Sequence, residues 1–165
     1  MKPILIAITG LLLVACAVMP ASAFTMKSLS ISVAGNGDAT VDMNYDLSFV
    51  ETSAVFLRLA DPAAQLASAF DAGRSQPVTV TRATGSSAHV VIPSFASVTT
   101  TGGKITVTTP SLSFEHAQGV LNSYWFAPLV SPDFSPAVTT VTFPDGYTET
   151  WYDQISIPSV HHQVS

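Results

Sequence analysis

Between residues 28 and 49 the side chains of this chain alternate so regularly that the backbone has little choice of conformation. Val41, Met43, Tyr45, Leu47 and Phe49 alternate with Thr40, Asp42, Asn44, Asp46 and Ser48. A strand turns successive side chains to opposite faces, so the apolar set shares one face and the polar set the other. Leu29, Ile31 and Val33 repeat the pattern upstream. Between the two arms stands Gly35-Asn36-Gly37-Asp38, whose residues tolerate the positive φ of a tight hairpin turn. A half-buried antiparallel hairpin is therefore the first expected element.

The chain begins with Lys2, an apolar run over 4–18 and Met19-Pro20-Ala21-Ser22-Ala23. A basic residue, an apolar core of about 15 residues and a small-x-small end form a secretory signal peptide. The run is shorter than the ~20 residues of a membrane-spanning helix. Cleavage after Ala23 would release a chain starting at Phe24. Leu13-Val14-Ala15-Cys16 also resembles a lipobox, which would make Cys16 the site of acylation. The apolar run continues past Cys16, which favours simple cleavage. The expected organisation is a signal peptide over 1–23, one β-rich domain over 24–160 and a short tail over 161–165. Contact with a membrane is expected only through the leader, if uncleaved or lipidated.

Cys16 is the only cysteine; cleavage after Ala23 would remove it, leaving neither a disulfide framework nor a thiolate metal site. A net charge of −5 argues against nucleic acid, whose binding depends on neutralising phosphates with Lys and Arg. Charged residues make up 10% of the chain, against about 25% in ordinary soluble domains. Ser and Thr fill the polar positions instead.

Further along, Asp61-Pro62 reads as an N-cap with Pro at the first helical position, and Gly73 as a C-cap, which predicts a helix over 63–72. Short β-branched runs follow at 77–84 and 88–92. Gly102-Gly103 separates runs at 95–101 and 104–109, a second hairpin signal. Ser111 or Ser113 can cap a short helix over 114–121. Pro128, Pro132 and Pro136 forbid a central strand and suggest turns or a sheet edge. Pro144-Asp145-Gly146 joins runs at 137–143 and 147–157 into a third hairpin. The expected class is α+β: an antiparallel sheet built from hairpins, with one or two short helices packed on one face.

The stretch 28–57, with its Gly-Asn-Gly-Asp-Ala-Thr-Val turn, resembles the opening of small exported proteins of methanogenic archaea. So does the run from Tyr124-Trp125-Phe126-Ala127-Pro128-Leu129 through Pro144-Asp145-Gly146-Tyr147. The resemblance rests on turn and strand chemistry. It implies an extracytoplasmic setting and carries over no active residues.

Four sets of residues invite a chemical reading. Asp42-x-Asn44-x-Asp46 matches the start of a calcium loop, but Leu47 replaces its glycine and Ser53 its bidentate glutamate, so a solvated strand face explains the spacing better. Glu149 and Asp153, taken on one strand, share a face roughly 13 Å apart at about 3.3 Å per residue. That exceeds even the ~9.5 Å of an inverting glycosidase. Glu115 and His116 diverge by about 100° on a helix; His161 and His162 diverge on a strand, and His89 reads as a satisfied core or edge residue. No metal or other cofactor is expected from these residues. The aromatics Tyr124, Trp125, Phe126, Phe134, Phe143, Tyr147, Trp151 and Tyr152 gather in the last third of the chain. They fit either a second part of the core or a ligand surface, with Tyr124, Trp125, Phe126, Trp151, Tyr152 and Asp153 as its members.

The primary expectation is a non-catalytic protein of the cell envelope, secreted or envelope-associated, that associates with itself or another envelope protein through weakly guarded β edges. A carbohydrate-binding module built on the aromatic cluster is the alternative. A small exported hydrolase using Glu115, Glu149 or Asp153 with a histidine is the second alternative.

Overall fold

The computed structural model describes residues 25–46, 77–115, 119 and 133–164. Eleven strands run through them: β1 (Thr25–Val33), β2 (Ala39–Asp46), β3 (Thr79–Ala83), β4 (Ser87–Ile92), β5 (Ser97–Thr101), β6 (Lys104–Thr108), β7 (Leu112–Ser113), β8 (Val138–Thr142), β9 (Thr148–Trp151), β10 (Ser156–Ile157) and β11 (His161–Val164).

The expected hairpin is β1–β2, antiparallel with Leu29 opposite Met43, Ile31 opposite Val41 and Val33 opposite Ala39. All six of these side chains are buried, as is Tyr45, whereas Asp42, Asn44 and Asp46 are exposed. Leu47 and Phe49 lie outside the described residues. A register shift between Met26 and Ser28 changes the phase of β1, which lets Met26 and Leu29 both face inward although three positions apart. At the turn, Ala34 N–H donates to Asp38 O at 2.8 Å, and Gly37 adopts φ +88°.

β2 and β1 form the centre of a six-stranded sheet ordered β3-β4-β2-β1-β8-β9. Its pairs are antiparallel except β1–β8, which is parallel, with Leu29 beside Thr139 and Ile31 beside Val141. Tyr45 ties β2 to the β3–β4 turn, its hydroxyl donating to Thr84 O at 2.6 Å. Its burial holds the phenol above the usual tyrosine range.

A three-stranded sheet ordered β11-β6-β5 supplies the opposing layer, and β7 pairs with β10 separately. Val107 of β6, with Phe95, Ala96 and Val160 from segments next to this sheet, joins the same buried cluster as the inner face of the larger sheet. The two sheets form a β-sandwich around one apolar core. Each large aliphatic side chain withdrawn there contributes about 1.5–3 kcal/mol.

These observations correct the expected α+β class. About 60% of the described residues are strand and 2% helical, so the fold they build is nearly all β. A second sheet, not a helix, covers the greasy face in the described part. The predicted helix at 63–72 lies outside the described residues. Of 114–121, only Glu115 and Gly119 have described helical backbone. Residues 161–164, expected as a tail, form β11 and pair with β6, His161 opposite Thr108 and Val164 opposite Ile105. The third hairpin exists as β8–β9, but its second arm stops at Trp151 rather than running to 157. Beyond it, Ser156 and Ile157 pair with β7 instead.

Candidate binding site on the flank of the sandwich

The β8–β9 turn is built by local chemistry. Phe143 N–H donates to Tyr147 O at 2.8 Å, Gly146 N–H to Phe143 O at 2.9 Å, and Gly146 takes φ +86°. Asp145 Oδ1 caps the turn by accepting from Tyr147 N–H at 3.2 Å. Tyr147 and Glu149 stand two positions apart and so share a side of the backbone, as Glu149 and Trp151 do within β9. Val141 opposite Glu149 and the buried Thr139 opposite Trp151 identify that side as the one facing the smaller sheet.

From the smaller sheet His162 enters the same space. It lies opposite the buried Val107, hence on the inner face of β11. Its Nε2 sits 2.7 Å from Asp145 Oδ2, with both side chains largely withdrawn from solvent. An ionised carboxylate only accepts, so Nε2 carries the proton. The imidazole stacks on Tyr147 with centroids 4.2 Å apart and planes 8° from parallel, and leans on Phe143 at 4.9 Å. The Tyr147 hydroxyl donates to Glu149 Oε1 at 2.9 Å. This hydrogen bond, then desolvation, then the charge of Glu149, push the Tyr147 phenol above 10.

Asp145, Tyr147, Glu149 and His162 thus form a clasp between the two sheets. A phenol held protonated is a donor, not a nucleophile. Among the described residues no Ser, Thr or Cys side chain is hydrogen-bonded to His162, so the Asp145–His162 pair has no hydroxyl to activate there. What the arrangement can do is hold one aromatic ring rigidly at the surface beside a carboxylate.

The residues singled out from the sequence fall elsewhere or separate. Trp151 is half-buried and packs against the core. Tyr152 is 66% exposed, and Asp153 turns away in a left-handed conformation, φ +51°, its N–H donating to Pro136 O at 3.1 Å. Glu149 and Asp153 therefore do not share a strand face. Tyr124, Trp125, Phe126 and Cys16 lie outside the described residues, as does His116. Glu115 is exposed, and its N–H donates to Ser113 Oγ at 3.4 Å.

Asp42, Asn44 and Asp46 take separate partners: His89 Nδ1 at 2.6 Å, Ser28 Oγ at 3.0 Å and Lys27 Nζ at 2.7 Å. His89 thus faces outward, in a polar pair rather than in the core. His161 Nδ1 lies 3.0 Å from Thr108 Oγ1. Among the described residues no group of three or more His, Cys, Asp or Glu side chains could hold a metal ion.

The sequence reading missed the meeting of Asp145, Tyr147 and His162. The shared parity of Tyr147, Glu149 and Trp151 was visible in it, but nothing in the order of residues brings position 162 to them. Comparison with protein-family models, with curated proteins and with solved structures gives no match.

Proposed function

We propose that this chain is a non-catalytic extracytoplasmic protein of the cell envelope, of the kind it resembles among methanogenic archaea, and that it associates with a second copy or another envelope protein through a sheet edge. The signal peptide expected over 1–23 is what supports this reading of the compartment. The observation that carries the association is β5. Among the described residues it is the last strand of the β11-β6-β5 sheet, and all five of its residues are exposed.

Its sequence, Ser97-Val98-Thr99-Thr100-Thr101, contains none of the Lys, Glu or Pro residues that blunt such edges. Val98 lies opposite the buried Val107, and Ile105 lies opposite Thr100. Both therefore belong to the core-facing side of this sheet, yet they are 37% and 42% exposed. The edge thus offers backbone hydrogen-bonding groups together with apolar side chains, the two requirements of strand addition.

Sedimentation velocity over a range of concentrations tests the reading. Association should rise with concentration and disappear in Val98→Lys, whose long stem can lie along the surface while its charge stays in water. Circular dichroism should show the variant folded. A wild-type protein that sediments as one concentration-independent monomer, with no envelope association, would overturn the proposal.

A further inference from the structure

We propose that the flank formed by β9 and the β8–β9 turn is a binding site for a neutral oligosaccharide, with the open face of Tyr147 as its stacking platform. The site does not involve the β5 edge, so it can fail or hold independently of self-association.

Tyr147 is 43% exposed although one face of its ring is covered by His162. Its opposite face is therefore the one open to a ligand. The ring is held in place by the stack on His162, by Phe143 at 5.9 Å and by the hydroxyl bond to Glu149. His162 is in turn held by Asp145. Such a ring loses little conformational freedom when a ligand covers it. Tyr152 is more exposed, but no hydrogen bond or ring contact of its side chain is seen among the described residues. Binding there would have to immobilise a free side chain.

The polar groups around the platform select the ligand. One Glu149 oxygen accepts from Tyr147, leaving the other to accept a ligand hydroxyl. The Tyr147 oxygen, its proton committed to Glu149, offers lone pairs. Among the described residues the Lys and Arg side chains are those of Lys27, Arg82 and Lys104, none of them bonded to Glu149. The Glu149 carboxylate, with no cation bonded to it among the described residues, repels sulfated or acidic sugars and accepts hydrogen bonds from neutral ones.

A pyranose matches the open ring because its C–H-rich face carries slight positive charge and the ring face is negative. A compact organic cation is bound best by several rings around it, and here one face is open. Trp151, half-buried on the same side of β9, stands roughly 13 Å along the strand at about 3.3 Å per residue. That spacing suits an extended chain of sugars.

Titrating the protein with cellohexaose, mannohexaose and chitohexaose, followed by calorimetry and by the side-chain NMR signals of His162, tests the assignment. At least one of the three should bind and shift the His162 ring signals, because the ligand covers the ring stacked on it. Tyr147→Ala should weaken that binding about tenfold, the loss expected for a central aromatic contact. Glu149→Gln should weaken it less, and Tyr152→Ala should leave it unchanged. Tyr147→Phe keeps the ring and should retain most of the affinity, so the platform can be judged even if the alanine variant does not fold. No binding to any of the three, unshifted His162 signals at saturation, or a preference for tetramethylammonium would overturn the proposal.

Discussion

Replacing Gly37 by alanine probes the contact that joins the central hairpin to the smaller sheet. Gly37 has φ +88°, and its carbonyl accepts from Ala96 N–H at 2.8 Å, immediately before β5. A Cβ at this position would stand inside van der Waals contact of the Ala96 carbonyl oxygen and 3.3 Å from Cγ2 of Val98. The left-handed backbone costs an alanine about 1 kcal/mol. Relieving the collision with rigid backbone means lengthening the Gly37–Ala96 hydrogen bond, worth about 1 kcal/mol, and shifting packed neighbours, about another 1–2 kcal/mol. The reduced freedom of the unfolded chain returns about 0.4–1 kcal/mol. The net expected loss is about 2–3.5 kcal/mol.

Gly146 supplies the control. Its φ is +86°, but no atom of the described residues lies within 4 Å of where its Cβ would be. Gly146→Ala therefore carries the backbone strain without the collision and should cost less than about 1 kcal/mol. Urea unfolding of both variants, monitored by circular dichroism, measures the difference. Equal losses within about 0.5 kcal/mol would refute the argument that Gly37 is required by close approach rather than by φ alone.

Two further perturbations test the interior and the flank. Thr139 is buried and its hydroxyl has no hydrogen-bond partner among the described residues; Thr139→Val removes that unsatisfied group at nearly constant shape. It should raise stability by about 1 kcal/mol in the same urea assay, and a loss of stability would show that the hydroxyl is satisfied. Tyr147, with its folded-state phenol above the unfolded value of 10, contributes stability that is fully present below pH 10 and lost as pH rises through the folded value. A 13C-detected titration should place the Tyr147 midpoint above 10, and Glu149→Ala, by removing both the hydrogen-bond acceptor and the negative charge, should bring it down. No difference between the two proteins would refute the Glu149 contact.

Both proposals draw on features that differ in how well the sequence reveals them. The β5–β6 and β3–β4 pairs were legible because β-branched runs flank Gly102-Gly103 and Gly85-Ser86-Ser87, and turn chemistry is local. The flank was only half legible. Tyr147, Glu149 and Trp151 share a side by parity, but Asp153 was grouped with them because nothing in the residue types marks Trp151 as the end of β9. His162 falls in what reads as a short tail, since four residues next to a terminus carry too little pattern to identify a strand.

Alternation by itself determined which side chains of 28–46 would be buried and where the chain would turn, because a strand's period of two and the φ preference of glycine act within a few residues. What would cover the buried face was decided only in three dimensions. A layer of strands and a layer of helices can both exclude water from Val41 and Ile31, so burial alone does not distinguish them. The parallel pairing of β1 with β8, the exposed edge at β5 and the meeting of His162 with Asp145 and Tyr147 all depend on contacts between residues far apart in the chain. Such contacts are won by the packing of the whole core, and no short stretch of sequence holds the information to choose them.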